Sequence, residues 1–332
     1  MRLKLGCCIT HGGDTIKIGF IGPGKVGVSL AHYFTHKGIE LTGFYGKTIK
    51  TTIEAANTTK SKFYNNLEDI INESDILFIT TPDDIISIID KKLSKFDLNN
   101  KSICHTSGSL SSTILSNAKN SGALIYSIHP IFAFSKKDTD LKELESIYFS
   151  IEGKVTDQYT DVIHLVRSLG NKFFIRGEQT SSLYHLANVF VSNLTLSLLD
   201  IGTSYLKELG LSEKDAIMAI YPLVQGNIKS ISEKGFVKSL TGPVLRGDVV
   251  PITKHLSVLK EEHKELYKIL SLNLLNLVSL KDNKNTKNLN DTQIEFINKN
   301  ESVNVNKENA IKNLMNNSKK HAEIYKILGG LE

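Results

Sequence analysis

The sequence predicts an α/β protein: a doubly wound parallel sheet over residues 16–177, followed by an all-α domain over residues 178–280. Three observations carry this reading. A β-branched run at Ile16–Ile21 ends in Gly22-Pro23-Gly24-Lys25-Val26-Gly27 and leads into an apolar helical pattern through Val28, Leu30, Ala31 and Phe34. Short apolar strands then alternate with helices over some 175 residues, as in a sheet covered by helices on both sides. From Gln179 the texture changes to long helical stretches.

A chain of 332 residues can bury a large core, and its length suggests two domains. Hydrophobic residues at 40% and charged residues at 23% fit a globular protein. Forty basic against 35 acidic residues give a net charge of +5 without a concentrated basic block, so nucleic acid is not an expected partner. Cys7, Cys8 and Cys104 form no CxxC pair and no disulfide framework, which points to a reducing cytoplasm. The N-terminal residues 1–15 read as a short extension whose apolar run is too short for a signal peptide.

The glycine loop is the first functional signal. Glycines between a strand and a helix start let a pyrophosphate approach bare backbone amides at a positive helix end, which assigns Gly22, Pro23, Gly24, Lys25, Val26 and Gly27 to a dinucleotide. The second strand spans Ile39–Tyr45. An NAD site places an acidic residue at its carboxyl end to bind the ribose hydroxyls. Here Tyr45-Gly46-Lys47-Thr48 stands there instead, so Lys47 and Thr48 are expected to receive a ribose 2′-phosphate and the cofactor to be NADP.

Asp75–Thr81 is a continuous apolar strand that delivers Thr81 and Pro82 to the carboxyl edge of the sheet, with a helix at Asp84–Leu93 behind it. Ser102–His105 brings Ser107 and Gly108 to the same edge, near the nicotinamide end, although the serines equally suit helix capping. Ala123–Ile128 is followed by His129-Pro130, and Tyr148–Ile151 and Phe173–Ile175 close the sheet around a helix at Asp157–Leu169.

Thr180–Leu209 reads as one helix of about 30 residues, apolar on most faces, the pattern of a buried spine. Tyr184, His185, Asn188, Asn193 and Asp200 argue against a membrane span. Tyr184, His185, Asn188 and Ser192 fall on one side of it, with Asn193 on the flank. Such a polar stripe needs a ligand, water or another polar surface. Helices follow at Ser212–Ile231 and Ile252–Leu280, separated by a loop at Leu240–Pro251. Residues 281–307 form an Asn/Lys-rich insertion, and a last helix at Glu308–Leu328 lies within the closing segment 308–332.

His129 and His185 are candidate acids, Asn188 could orient a carbonyl, and Arg246 offers a planar fork for a carboxylate or phosphate, unless it pairs with Asp248 in its own loop. No metal-ligand spacing and no nucleophile elbow is present.

Five segments in order, FIGPGKVG, HTSGSL, SIHPIFAF, YHLANVFVSN and LTGPVLRGD, resemble a bacterial family with a Rossmann-like N-terminal domain and a conserved helical C-terminal domain of initially unknown function. That family is similar in plan to pyrroline-5-carboxylate reductase, prephenate dehydrogenase and ketopantoate reductase. The resemblance implies a helical domain like the C-terminal domain of 6-phosphogluconate dehydrogenase. Ser107 with His129-Pro130 is similar to the serine and His-Pro of prephenate dehydrogenases, where the histidine acts on the substrate hydroxyl, and Asn188 is similar to an asparagine of ketopantoate reductase. Where ketopantoate reductase carries a lysine acid, this chain has Tyr184, so the proton-donor role falls to His129, His185 or Tyr184.

The expected function is an NADP-dependent oxidoreductase acting on a small carbonyl substrate, with ketopantoate as the specific substrate the resemblance implies. Ser107 and Asn188 would orient the carbonyl, Arg246 and Asn193 would bind substrate, and no metal is needed. An imine, another 2-oxo acid or a deazaflavin cofactor fits the same signals, and the alternative class is a non-catalytic NADP-binding sensor. A homodimer through the helical domain, with neither membrane nor nucleic acid as partner, completes the expectation.

Overall fold

The computed structural model describes residues 10–11, 14–154, 160–286 and 312–329. Cys7, Cys8, nearly all of the Asn/Lys-rich insertion and the start of the last helix lie outside them, as does much of the N-terminal extension. The chain divides into two compact units, Met1–Ser197 and Leu198–Glu332.

In the first unit, eight strands form one sheet: β1 (Ile18–Ile21), β2 (Leu41–Tyr45), β3 (Lys62–Tyr64), β4 (Ile76–Ile79), β5 (Ser102–His105), β6 (Leu124–Pro130), β7 (Tyr148–Gly153) and β8 (Lys172–Ile175), in the order β8-β7-β6-β5-β4-β1-β2-β3. Every neighbouring pair is parallel except β6 with β7, which is antiparallel. The doubly wound α/β sheet is therefore present, with β7 and β8 running opposite to the other six strands, a reversal that the sequence reading did not foresee. β3 was not foreseen either, because KFY is too short to show alternation.

Helices α1 (Lys25–His36), α2 (Ile49–Thr59), α3 (Leu67–Glu73), α4 (Asp83–Leu93), α5 (Ser116–Asn120), α6 (Leu141–Ser146) and α7 (Asp161–Leu169) complete this part, and a 3-10 turn at Ser112–Leu115 stands where a helix from Ser111 was expected. Successive strand residues point to opposite faces, so each strand feeds two cores. On one face Phe20 stacks on Phe44 at 5.3 Å and on Phe78 at 5.5 Å, under Phe34 of α1. On the other, Ile21, Leu77, Ile79 and Ile103 pack with Ile70 of α3 and Ile86 and Leu93 of α4. Truncating one such buried Phe to Ala costs about 3–5 kcal/mol.

The strand register sets the functional edge. Tyr45, Ile21, Ile79, His105 and Ser127 form one row across β2, β1, β4, β5 and β6. Residues beyond that row, Gly22, Thr80 and Thr106 among them, therefore leave the sheet on the same side. His129 lies two residues past the row and still within β6, paired with Ser150, rather than just after the strand.

The expected single helix from Thr180 is two: α8 (Ser181–Val191) and α9 (Asn193–Glu208). Ser192 breaks them with φ −113° and ψ −82°, its hydroxyl donating back to Asn188 O at 2.6 Å, a side-chain bond that competes with the helix ladder. Nor is this stretch a buried spine. Leu183, Phe190, Val191 and Leu196 are all more than half exposed. Among the described residues Ser181–Glu208 is long and apolar enough to cross a membrane by length and composition, with a mean hydropathy of 1.3.

The second unit holds α10 (Glu213–Ser239), α11 (Pro243–Arg246), α12 (Val249–Val258), α13 (Glu261–Thr286) and α14 (Lys319–Ile327). α10 runs beyond its expected end and kinks at Gly235, whose φ of +74° is left-handed. The expected helix from Ile252 divides at Leu259, which leaves the helical path between α12 and α13. A small core of Val244, Ile252, Leu275, Val278, Leu314, Ile324 and Leu328 holds these helices together. His321 of α14 lies 3.1 Å from Val244 O and 3.2 Å from Leu245 O, at the carboxyl end of α11.

Candidate active site at the carboxyl edge of the sheet

The glycine loop has the geometry of a phosphate cradle. Gly22 takes φ +113°, which disfavours any side chain, and a Cβ at Gly27 would come within 2.6 Å of Gly22 O. Thr80 braces the turn by donating its hydroxyl to Gly22 O at 2.7 Å. Gly24 caps α1 without a side-chain hydrogen bond, so the first amides of α1, at the positive end of its dipole, are left for an anion. Gly22 N donates to Tyr45 O at 2.9 Å, and a Cβ on Gly46 would meet Pro23 at 2.6 Å. The loops after β1 and β2 are thereby pressed together, with Lys47 and Thr48 exposed just beyond.

Thr81 and Pro82 follow β4 at the same edge, and Thr81 Oγ1 is buried without a hydrogen-bond partner. A buried orphan hydroxyl costs about 1–3 kcal/mol, so this atom suits a ligand that supplies the missing bond. The cradle and this orphan fit a dinucleotide.

His129 and Tyr184 meet at the same edge. His129 Nδ1 lies 2.6 Å from the Tyr184 hydroxyl, the rings nearly perpendicular at 81°. Burial, then the Arg176 cation, then His185 push His129 down to about 4, against the opposing pull of Asp83. Burial also pushes the Tyr184 phenol up, outweighing Ser150, Asn188 and Arg176. Both groups are therefore neutral at pH 7. With the phenol as donor to Nδ1, the ring proton stands on Nε2; with Nδ1–H as donor, Nε2 is the free acceptor. A Cβ at Gly108 would come within 2.9 Å of that Nε2, so the glycine gives the ring its place.

The neighbouring serines serve a carboxylate. Ser107 and Ser109 donate to Asp83 Oδ2 at 2.8 and 2.6 Å, while Ser107 Oγ accepts the amides of Ser109 and Leu110. Ser107 holds the turn before the 3-10 helix, whose cap is Ser111, and its proton is committed to Asp83. His105, within β5, is a structural histidine: Nδ1 accepts Ser107 N at 3.2 Å, Nε2 faces Ser111 O at 3.2 Å, and burial holds it down to about 4.

On α8 the polar stripe is only partly sheltered. Tyr184 and Asn188 are half-buried, whereas His185, Ser192 and Asn193 are exposed. Asn188 donates to Tyr184 O at 2.9 Å. Arg246, at the end of α11 in the second unit, pairs with Asp248 at 2.7 Å, the alternative the sequence left open. Among the described residues no cluster of His, Cys, Asp or Glu could hold a metal.

Sequence reasoning missed Asp83, Glu152 and Arg176. Glu152 and Arg176 are buried and paired. The signal was present as a period of two: Ser127 and His129 on β6 face the same side as Ser150 and Glu152 on β7, because each pair is directly opposed across the antiparallel ladder.

With this geometry, comparison with known proteins identifies the parts. Residues 12–130 match the Rossmann-like domain family, and residues 147–274 match the family described as domain of unknown function DUF2520. The chain carries a Rossmann-like domain followed by a DUF2520 domain. Solved structures share this fold. Protein TM1727 from Thermotoga maritima is similar at 24% identity with a TM-score of 0.60, covering 80% of this chain and 99% of that one. Pyrroline-5-carboxylate reductase from Coxiella burnetii matches at 11% identity and 0.57, covering 80% and 96%. The reductive aminase from Aspergillus terreus, in complex with NADPH4, matches at 14% and 0.53, covering 82% and 95%. No curated protein matches the chain. The DUF2520 match takes in β7, β8 and the arginine after them, so it joins the sheet's last strands to α8.

Proposed function

We propose that this Rossmann-like and DUF2520 chain is an NADP-dependent oxidoreductase that reduces a small carbonyl or imine. The observation that carries the reading is the His129–Tyr184 pair at the same sheet edge as an uncapped glycine cradle. A cradle alone would suit a sensor, which needs no buried proton pair.

The first amides of α1 and the glycines Gly22, Gly24 and Gly27 would hold the pyrophosphate, with Lys47 and Thr48 on a 2′-phosphate. NADPH, when bound, supplies the hydride. His129 offers its Nε2 proton to the substrate oxygen as negative charge develops there, and Tyr184 replaces that proton at Nδ1. The resulting phenolate lies against the Arg176 guanidinium, 4.9 Å from the ring centroid, and takes its proton back from Nδ1 as solvent reprotonates Nε2. His185, the other candidate acid, is exposed at the next position of α8. Asn188 and Asn193 remain candidates for orienting substrate.

Ketopantoate is the first substrate to test. The imine reading rests on Asp83, whose carboxylate beside Ser107 and Ser109 suits a cationic C=N group; two structural neighbours are named as a reductive aminase and a pyrroline-5-carboxylate reductase. NADPH oxidation against 2-oxo acids and cyclic imines decides between them. Turnover of ketopantoate alone supports the carbonyl reading, turnover of imines alone the second. Full turnover in His129→Ala and Tyr184→Phe would remove the acid assignment.

We further propose a cytoplasmic homodimer. Apolar side chains are left exposed on α8, Leu183, Phe190 and Val191 among them, and on α10, where Met218 and Leu223 are exposed; a second copy would cover such side chains. Light scattering that shows a monomer at high concentration removes the dimer.

A further inference from the structure

The sheet edge contains more fixed charge than proton transfer requires. Arg176, directly after β8, donates Nε to Ser150 Oγ at 2.9 Å, NH1 to Ser181 Oγ at 2.7 Å and NH2 to Ser127 Oγ at 2.9 Å, and pairs with Glu152. Glu152 Oε1 accepts Ser111 Oγ at 2.5 Å and Ser112 N at 2.9 Å, and Oε2 accepts Ser181 Oγ at 2.9 Å. Burial alone would push the Glu152 carboxyl up, but these bonds and Arg176 hold it below its ordinary value.

A buried ion pair is a poor way to stabilise a core, since well-packed apolar residues of similar size do at least as well. This pair instead touches the site twice. The guanidinium faces the Tyr184 ring at 4.9 Å, and Ser181, bonded to both charges, lies on α8 one turn before Tyr184, on the same side of the helix. Ser127, bonded to Arg176, also donates to Ser107 O at 3.1 Å, which ties in the turn beneath His129.

We infer that the Arg176–Glu152 pair is a positioning device: it fixes Tyr184 against Nδ1 of His129 and thereby sets which ring nitrogen carries the proton. Resting on the proposed reductase reading for its purpose, it concerns a geometry that is measurable without turnover. The charged and titratable groups facing His129 are Arg176, His185, Asp83 and His105, besides Tyr184.

The test is the ring-nitrogen NMR spectrum of His129 in the full-length chain. The reference is Tyr184→Phe, which lacks the hydrogen bond. In the double variant Arg176→Met/Glu152→Gln, which removes both charges at similar volume, the His129 signals should move to those of Tyr184→Phe, and the ring should titrate at higher pH than in the wild type. Its NADPH affinity should stay within about twofold, showing that the cradle still folds. Any turnover should fall as far as in Tyr184→Phe, and combining the changes should add little further loss. If the double variant fails to bind NADPH, Arg176→Lys, which keeps the cation and loses the planar fork, should give the same displacement of the His129 signals. Wild-type His129 signals in a folded variant of either kind overturn the inference. Absence of turnover in the wild type sinks the reductase reading and leaves the nitrogen result to judge the pair.

Discussion

The Tyr184 hydroxyl, on the first helix after the sheet, lies 2.6 Å from Nδ1 of His129 on β6. This contact joins two residues 55 positions apart and brings α8 back to the sheet edge. Burial pushes His129 down to about 4 and the Tyr184 phenol up, so both groups are neutral at pH 7.

Removing the phenol oxygen should separate chemistry from cofactor binding. Tyr184→Phe leaves Nδ1 unpaired at a cost of about 1 kcal/mol and should lower kcat by about 10²-fold, within the range for a positioned acid. NADPH affinity, measured by fluorescence titration, should not change. A parallel loss of both would make Tyr184 a structural residue.

The glycine loop tolerates little. In Gly27→Ala the new Cβ would meet Gly22 O and the Thr80 hydroxyl, so the loop must shift. NADPH binding should weaken at least about tenfold, in keeping with about 1–3 kcal/mol of local strain. Unchanged affinity in a calorimetric titration would show that the cradle is not where the phosphates bind.

Lys47 and Thr48 should govern the choice of nucleotide. Lys47→Ala/Thr48→Ala removes the groups expected on the 2′-phosphate, and charged hydrogen bonds of this kind contribute about 1.5–3 kcal/mol. NADPH should bind about 10- to 100-fold more weakly and NADH equally well. An equal loss for both cofactors would place the 2′-phosphate elsewhere.

Acid should destabilise the first unit. His105 and His129 are both held down to about 4 from an ordinary 6.5, so between those values the unfolded chain binds more protons than the folded one. Stability then rises with pH and is lost as pH falls from about 6.5 to 4. Glu152, depressed in the folded state, adds a loss below the ordinary carboxylate range. Urea midpoints across this window should fall on acidification, and His129→Asn should flatten the slope. A flat wild-type profile would mean that neither ring is sheltered.

Much of this fold was legible because periodicity survives burial. The strand, glycine loop and helix at Ile16–Leu30 and the strand at Ser102–His105 could be read from apolar runs and punctuation. His129, Tyr184 and Asn188 could be nominated because polar residues in apolar surroundings need partners. Their meeting could not be read, since nothing in the order of residues says that the helix after β8 returns to β6. Arg176 and Glu152 escaped because a buried ion pair looks in sequence like two surface charges. The exposure of Leu183 and Phe190 escaped for the converse reason: an apolar helix reads as buried, whatever covers it.

Deuterium transfer tests the central claim most directly. NADPH labelled at the reactive ring carbon is incubated with the chain and with ketopantoate, other 2-oxo acids or cyclic imines, and the product is examined by mass spectrometry. Label at the reduced carbon, abolished in His129→Ala while NADPH still binds, is the predicted result. Tight NADPH binding with no label transferred to any acceptor would contradict the account and make the chain a nucleotide sensor.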